Sequence, residues 1–308
     1  MKVLVTGANG FVGRRLVTRL VADGHTVTAA LGPAAGTPAS LPPTVKRVAL
    51  DLGDETAVKA VAQEPCDAVV HLAAMALARE ANRHPAETWS VNAQGTARLA
   101  HHLVARGAPA PRFLVVSSSE VYLPAERPNV ESDPVGAVTP YGASKLGAEL
   151  AALQAWRCGG LQVIVARSFV HSGPGQDPQY WLPGRSALLR EAKRKGWAAV
   201  GVGDLSAVRD FTHVDDVVDA YARLLQHGEP GEIYNIASGE PVTLDEVHTR
   251  LEQLIGVSPK REVDASQQRR DARPYLVGDT TKLRVATGWA PRHSLDDLLK
   301  DVVDAQAD

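Results

Sequence analysis

Short apolar segments alternate with segments of helical periodicity along the first half of the chain, and this alternation constrains the fold more than any other feature. A strand followed by a helix and another strand is typical of parallel sheets that carry helices on both faces. The strand-like runs are residues 2–6, 26–30, 45–50, 67–72, 112–117 and 161–167, with helical segments at 11–23, 85–106 and 140–156. The sequence therefore predicts an α/β protein built on a doubly wound parallel sheet.

The alternation ends near residue 167. Residues 170–184 are rich in Gly and Pro and are predicted to form a long loop. Beyond it the pattern predicts a basic helix at 185–195, a helix at 214–226, a strand at 232–237, and two further helices opened by the capping sequences 243–246 and 294–297. We therefore predict a sheet domain of residues 1–167 plus 207–236 and a smaller, discontinuous C-terminal domain of residues 168–206 plus 237–308.

Composition excludes several classes of protein. The 308 residues include 33 Lys and Arg against 35 Asp and Glu, a net charge of −2, so global charge gives no basis for binding nucleic acid. No apolar segment reaches the roughly 18 residues that a membrane span needs, and the N-terminal run is too short for a secretory signal. The 2 cysteines and the histidines lack disulfide or metal-ligand spacing, so we expect no metal and a reducing, cytoplasmic setting.

A glycine-rich turn follows the first predicted strand directly. Gly7, Gly10 and Gly13 lie three residues apart, and a helical segment begins within this turn. Such glycines let the chain turn tightly and let backbone N–H groups approach a pyrophosphate, whose charge the helix N-terminus favours. A purely structural turn is the alternative, but the strand–loop–helix context favours a dinucleotide site. The phosphoryl-transfer pattern G-x-x-x-x-G-K-[ST] is absent from the sequence.

The residues around this turn favour NADP(H) over NAD(H) as the cofactor. The second predicted strand ends without the carboxylate that would bind the adenosine ribose of NAD and repel a 2′-phosphate. Arg14 and Arg15 supply positive charge just after the third glycine, although both side chains could simply face solvent. Asp51 and Leu52, after the third strand, are predicted to contact the adenine; the alternative is a helix N-cap region before Asp54.

Tyr141 and Lys145 are separated by four residues on a predicted helix, so they lie on one face. A phenol has a pKa near 10, and one cation at about 4 Å in an effective dielectric near 20 contributes on the order of 4 kcal/mol, enough to lower that pKa by about three units. Lys145 is therefore expected to tune Tyr141 as an acid/base. Ser118, at the end of the preceding strand, is placed to hold a carbonyl oxygen beside the phenol.

These motifs together resemble the extended short-chain dehydrogenase/reductases that act on nucleotide sugars, which have a Rossmann fold. The resemblance rests on the glycine turn at 6–13, His71 to Ala74, Asn92 to Thr96, Ser118 with Tyr141 and Lys145, Arg209 to Asp215, and Gly288 to Pro291. It implies that the sheet domain binds the dinucleotide and the C-terminal domain binds a nucleotide-diphosphate sugar. It also implies a homodimer formed through the helices at 85–106 and 140–156.

Three sets of site residues follow from the motifs and the resemblance. The predicted catalytic residues are Ser118, Tyr141, Lys145 and Glu120. The predicted cofactor-binding residues are Gly7, Asn9, Gly10, Phe11, Val12, Gly13, Arg14, Asp51, Leu52, Leu72, Ala73, Ala74, Asn92, Tyr141 and Lys145. The predicted substrate-binding residues are Ser119, His171, Arg190, Arg209 and Arg269. For Arg190, a solvated helix face is the alternative.

Further motifs resemble the branch of this family that reduces GDP-linked 4-keto-6-deoxymannose. They are the segments 171–176, 202–211, 225–235 and 276–279. This resemblance implies reduction of the C4 ketone with NADPH. Val170 stands where the family usually has Asn, and Glu120 resembles the acid/base of sugar 4,6-dehydratases. Epimerisation or dehydration with a recycled cofactor, and a non-catalytic dinucleotide sensor, are the alternatives.

Overall fold

A computed structural model of the chain describes residues 1–33, 41–264 and 273–306. The strands of these residues are β1 (Lys2–Thr6), β2 (Thr26–Leu31), β3 (Lys46–Ala49), β4 (Ala68–His71), β5 (Arg112–Ser118), β6 (Gln162–Ser168), β7 (His171–Ser172), β8 (Ala199–Val202), β9 (Val208–Asp210), β10 (Thr212–His213), β11 (Ile233–Ile236), β12 (Pro241–Thr243), β13 (Lys260–Val263) and β14 (Tyr275–Leu276).

The α-helices of the same residues are α1 (Phe11–Ala22), α2 (Glu55–Ala62), α3 (Ala78–Arg83), α4 (Pro85–Trp89), α5 (Gly95–Ala105), α6 (Pro140–Gly159), α7 (Trp181–Lys195), α8 (Val214–His227), α9 (Leu244–Ile255), α10 (Thr281–Thr287) and α11 (Leu295–Asp304). A π-helical turn at Ser90–Gln94 joins α4 to α5, and a 3₁₀ turn at Ser119–Val121 follows β5. No helix of the described residues is both long enough and apolar enough to cross a membrane.

The main sheet confirms the predicted fold class. Within the described residues it has seven parallel strands in the order β11-β6-β5-β4-β1-β2-β3. The chain leaves β1 toward β2 and β3 and then returns to the other side of β1 to form β4. The order of the strands therefore reverses between β1 and β4, and in open parallel sheets ligands bind outside the carboxyl ends of the strands at such a reversal.

Two apolar layers cover the faces of the sheet. Residues of α1 and α8 build one layer, and residues of α2, α5 and α6 build the other. Leu283 and Trp289, from the predicted C-terminal domain, also pack into the first layer. A third apolar cluster lies outside the sheet and joins α7, α9 and α11 to β8. We propose that the chain is divided into two parts as predicted, with this cluster as the core of the smaller part.

The loop predicted at residues 170–184 is partly wrong. His171 and Ser172 form β7, which pairs in parallel with β10, and α7 begins at Trp181. Pro183 lies in the first turn of α7, where backbone N–H groups have no partner within the helix, so proline does not prevent the helix there. The Gly and Pro content of this segment therefore concealed a short strand and a helix start.

The two predicted helix caps also differ in detail. The Ser294 side chain accepts from the Asp297 amide and the Asp297 carboxylate accepts from the Ser294 amide, a complete capping box at the start of α11. At α9 the Thr243 hydroxyl accepts from the Glu246 amide, but the Glu246 carboxylate pairs with Arg250 instead. An arginine four residues onward thus competes with the reciprocal half of the box.

Candidate active site

Two glycines of the turn after β1, Gly7 and Gly13, have no room for a side chain. Gly7 has φ +67°, and a Cβ there would lie 2.8 Å from the amide nitrogen of Ala73. A Cβ on Gly13 would lie 2.8 Å from the Cα of Ala8 and closer still to the carbonyl oxygen of Gly7. Phe11 and Val12 begin α1, whose first amides face the same turn. This cradle at a helix N-terminus fits the pyrophosphate of a dinucleotide.

Asn9 ties the glycine turn to the end of β2. Its side-chain nitrogen donates to the carbonyl oxygen of Gly32 at 3.2 Å, and its side-chain oxygen accepts from the Gly32 amide at 3.3 Å. This pairing fixes the distance between the predicted pyrophosphate cradle and the strand end near which the adenosine ribose binds in this fold. Asn9 is therefore a positioning residue of the predicted cofactor site.

Arg14 and Arg15 reach a loop that the sequence did not connect to them. The Arg14 guanidinium donates to the carbonyl oxygen of Gly175 at 2.7 Å, and that of Arg15 donates to the carbonyl oxygen of Pro174. Arg15 also pairs with Asp215 at 3.3 Å. Both arginine side chains therefore contact the protein and do not simply face solvent. The contact of Arg14 with the cofactor stays a prediction, and its observed bond holds the loop after β7 against α1.

The predicted adenine contacts lie beyond β3. The Asp51 carboxylate is exposed and accepts from the Gly53 amide at 2.8 Å, while Leu52 is buried against Gly95. Asp54, rather than Asp51, caps α2 by accepting from the Thr56 amide. Leu72, Ala73 and Ala74 follow β4 at the edge where the sheet order reverses. These positions suit the predicted cofactor role, which stays a prediction.

A buried network of hydrogen bonds joins β1, β4 and α5 near the same edge of the sheet. The His71 ring bonds to the Thr6 hydroxyl at 2.8 Å and to the Thr96 hydroxyl at 3.0 Å. Asn92 bonds to both backbone groups of Met75 and donates to the Ser144 hydroxyl at 2.9 Å. Burial, with the charge of Lys145, lowers the pKa of His71 to about 3, so its ring is neutral near pH 7. Asn92 thus positions the loop after β4 against α6.

Ser118, Tyr141 and Lys145 meet where β5 ends and α6 begins. Ser118 is the last residue of β5, and Thr139 caps α6 by accepting from the Gly142 amide at 3.0 Å. Tyr141 and Lys145 then lie one turn apart on α6, and the Ser118 side chain acts on the Tyr141 phenol as a hydrogen-bond partner that opposes a rise in its pKa. The predicted catalytic residues are therefore together in the structure.

The prediction that Lys145 lowers the pKa of Tyr141 is wrong for the protein chain alone. Burial raises the pKa of Tyr141 well above its usual value of 10, and the charge of Glu120 raises it further. The pKa of Lys145 is lowered to about 8, chiefly by burial, although the Glu149 carboxylate acts in the opposite direction. Desolvation of the phenolate thus outweighs the positive charge one turn away, and Tyr141 holds its proton near pH 7.

Glu120 lies in the 3₁₀ turn after Ser118. Its carboxylate accepts from the Thr139 hydroxyl at 2.7 Å, so it is joined to the residue that caps α6. Ser119 is buried in the same turn. Their carbonyl oxygens accept from the guanidinium of Arg273, a residue that sequence reasoning missed. Its place four positions after the predicted substrate residue Arg269 is the sequence signal that could have drawn attention to it.

The predicted substrate-binding residues have separate positions. His171 donates from Nδ1 to the carbonyl oxygen of Phe169 at 2.9 Å, and burial lowers its pKa. Arg209 lies on β9, directly before the buried Asp210. Arg190 donates to the carbonyl oxygen of Val303, between α7 and α11, with no described contact to the catalytic residues. Arg269 lies outside the described residues.

Two buried acids near the site were also missed. The Asp210 carboxylate accepts from the amides of Ser238 and Gly239 at 2.7 and 2.8 Å, which fixes the turn after β11. The Glu149 carboxylate forms a buried ion pair with Arg167 at 2.8 Å, one helical turn beyond Lys145. Its place four residues after Lys145, on the same helix face, is the sequence signal for Glu149.

Comparison with known proteins gives consistent results. Residues 3–237 match the NAD dependent epimerase/dehydratase family. GDP-6-deoxy-D-mannose reductase of Pseudomonas aeruginosa is 34% identical over 306 residues, covering 98% of this chain and 96% of the relative. UDP-glucose 4-epimerase of Mycolicibacterium smegmatis is 31% identical over 312 residues, covering 99% and 98%. The solved structure of RMD from Pseudomonas aeruginosa complexed with NADPH has a TM-score of 0.84 and 34% identity, covering 99% and 98% of the two chains.

Proposed function

The chain belongs to the NAD dependent epimerase/dehydratase family, and from that premise we propose that it reduces the C4 ketone of a nucleotide-linked 4-keto-6-deoxyhexose. GDP-4-keto-6-deoxy-D-mannose, giving GDP-D-rhamnose, is the substrate we assign. The likeness to a GDP-6-deoxy-D-mannose reductase over nearly the whole of both chains supports this assignment. The presence of Ser118, Tyr141 and Lys145 at one edge of the sheet supports an active enzyme rather than a non-catalytic sensor.

NADPH is the reductant we assign, with NADH as the alternative. The glycine cradle between β1 and α1 fits the dinucleotide pyrophosphate, and the described end of β2 carries no carboxylate to oppose a 2′-phosphate. The similar RMD structure is a complex with NADPH. When bound, the reduced nicotinamide supplies the hydride that reduces the ketone carbon.

The chain's own residues supply the proton and the polar contacts. The Ser118 hydroxyl donates to the ketone oxygen, and the Tyr141 phenol transfers its proton to that oxygen as negative charge develops there. Lys145, whose pKa is about 8, carries its charge at pH 7, and we assign it to binding the dinucleotide and stabilising the phenolate left on Tyr141. Asn92 and Thr139 hold α6 so that both side chains keep their places.

The meeting of Ser118 with Tyr141 and Lys145, where β5 ends and α6 begins, is the observation that carries the proposal. Because burial and Glu120 raise the pKa of Tyr141, the side chain begins the reaction as an acid. Reduction of a ketone needs an acid at this position, whereas the first step of an epimerase or dehydratase oxidises a hydroxyl and needs a base. A phenol that holds its proton suits the reductive direction.

Cofactor consumption tests this proposal. Purified protein is mixed with NADPH and GDP-4-keto-6-deoxy-D-mannose, and absorbance of NADPH is followed together with product formation. We expect one NADPH consumed per product, and we expect Tyr141→Phe to lower turnover by about a hundredfold or more without changing the melting temperature. Tyr234→Phe, a buried phenol on β11, is the matched control. Product formation without net consumption of NADPH would contradict the proposal.

A second function rests on Glu120. Its charge acts on Tyr141 and its carboxylate is joined to Thr139, so it lies where an acid/base for epimerisation or dehydration could act with a retained cofactor. A UDP-glucose 4-epimerase among the relatives supports this alternative. Glu120→Gln separates the two: a reductase keeps its turnover within about tenfold, whereas an enzyme that uses Glu120 for proton transfer loses on the order of a hundredfold or more.

We also propose that two copies of the chain form a homodimer. Trp89 and Leu150 are exposed by 44% and 60% on α4 and α6, and Trp89 packs over Gly147 of the same surface. An apolar helical face of this kind supports pairing with a second copy. Light scattering should give a dimer for the wild type, and Leu150→Glu should give a monomer; a monomeric wild type would contradict this proposal.

A further inference from the structure

We propose that Arg273 is a positioning residue for the proton-donating groups, acting through the turn that follows β5. It touches the backbone of Ser119 and Glu120 rather than the reacting atoms, and it comes from the C-terminal part of the chain, 155 positions after Ser118. The inference rests on the proposed ketone reduction for its kinetic consequences. Its structural consequence, order in the turn, is independent of the substrate.

One peptide group connects Arg273 to Ser118. The carbonyl oxygen of Ser119 accepts from Arg273 Nη1 at 3.1 Å. The N–H of the same peptide group, which belongs to Glu120, donates to Ser118 Oγ at 3.1 Å. Because a trans peptide is planar, holding its oxygen also fixes the direction of its N–H. Arg273 thus sets the position of the donor that orients the Ser118 hydroxyl.

The second arm of the guanidinium strengthens this control. Arg273 Nη2 donates to the carbonyl oxygen of Glu120 at 2.7 Å, so the fork holds two successive carbonyls of the turn. The same Glu120 oxygen lies against Gly142, the residue after Tyr141, where a Cβ would have no room. The turn is therefore confined between Arg273 on one side and the start of α6 on the other.

Burial and charge give the contact its strength. Arg273 is only 6% exposed, and a hydrogen bond from a charged donor in such surroundings polarises the peptide group that accepts it. A polarised peptide is a better N–H donor, so the Ser118 oxygen is bound more firmly by Glu120. With its oxygen accepting that bond, the Ser118 hydroxyl is free to donate its own proton to the phenol or to a ketone.

The position of Arg273 also links the two parts of the chain. It precedes β14, which pairs with β9, the strand that carries Arg209. A displacement of these strands would therefore move Arg273 and, with it, the carbonyls of the turn that orients Ser118. Arginine suits this task because its planar fork binds two acceptors at once, whereas lysine offers one compact ammonium group.

A double-mutant cycle tests whether Arg273 acts through Ser118. Arg273→Met is expected to lower kcat about tenfold to a hundredfold in the wild-type background, the effect of misplacing a catalytic group by about 1 Å. In the Ser118→Ala background the same substitution should lower kcat by no more than about twofold, because the group being positioned is already gone. Equal losses in the two backgrounds would overturn the inference.

Hydrogen exchange supplies a readout that needs no substrate. We expect Arg273→Met to speed amide exchange in residues 118–122 by at least about tenfold. The matched control is Arg112→Met, since Arg112 also donates to two backbone carbonyls, those of Leu224 and Gly228, but at the opposite end of β5. The control should leave exchange of the turn unchanged. Unchanged exchange in Arg273→Met would overturn the inference.

A replacement variant and a substrate-independent measurement cover the remaining outcomes. If Arg273→Met does not fold, Arg273→Ala replaces it, and added guanidinium should restore exchange protection of the turn and kcat to Arg273→Ala, while leaving both unchanged in Arg112→Ala. Failure of guanidinium to restore either would overturn the inference. If the wild type reduces no 4-keto sugar nucleotide, the proposed function fails, and hydrogen exchange alone decides the role of Arg273.

Discussion

Gly13→Ala should disrupt the predicted cofactor site because the added methyl group meets backbone that has no room to move away. Its Cβ would lie 2.8 Å from the Cα of Ala8 and closer to the carbonyl oxygen of Gly7. Non-bonded atoms do not approach a Cβ so closely, so α1 must separate from the turn that precedes it. Overpacking of this kind costs about 1–3 kcal/mol of folding stability. It also moves the amides that would bind the pyrophosphate.

Gly10→Ala is the matched control, because its Cβ would meet the same Gly7 oxygen at 3.2 Å and its extended backbone accepts alanine. A shift of a few tenths of an ångström relieves that contact. We expect Gly13→Ala to weaken NADPH binding at least about tenfold, a loss of roughly 1.4 kcal/mol, and Gly10→Ala to change it much less. Thermal denaturation and fluorescence titration with NADPH measure the two effects. Equal affinities for NADPH in both variants would refute the steric reasoning.

Two further predictions concern buried charge and pH. Arg167→Met leaves the Glu149 carboxylate buried without its cation and should lower the free energy of unfolding by about 3–5 kcal/mol, whereas Arg167→Met with Glu149→Leu should recover most of it; a urea titration decides. His71 has its pKa lowered to about 3 in the folded protein, against about 6.5 unfolded, so its contribution to stability is present above pH 6.5 and is lost as pH falls toward 3. In urea titrations between pH 7 and 4, the free energy of unfolding should therefore fall more steeply with falling pH for the wild type than for His71→Gln. An identical pH dependence of the two proteins would exclude a neutral buried ring.

Most of the sheet could be predicted because its signals are local. The run from Lys2 to Thr6 and the alternation after it specify parallel strands by hydrophobic period, and the observed β1 has those bounds. The helix predicted at 85–106 is interrupted by a π-helical turn at Ser90–Gln94. This turn contains Asn92, whose side chain bonds to Met75 and Ser144. The helix thus departs from its regular period at a residue whose partners are distant in the sequence, which a local pattern does not reveal.

The predicted site was limited in the same way. Tyr141 and Lys145 share a helix, so their spacing alone placed them on one face. The pKa of Tyr141 was predicted in the wrong direction because burial and the charge of Glu120 come from tertiary packing that spacing does not reveal. Arg273 was missed for the same reason, since the carbonyls it contacts belong to Ser119 and Glu120, far away in the sequence.

The most direct test of the proposed reduction follows the hydride itself. NADPH carrying deuterium at the transferable position is incubated with the protein and GDP-4-keto-6-deoxy-D-mannose, and the sugar product is analysed by mass spectrometry and NMR. We expect one deuterium at C4 of every product molecule and one oxidised cofactor for each. A product without deuterium, formed while the labelled NADPH remains reduced, would contradict it.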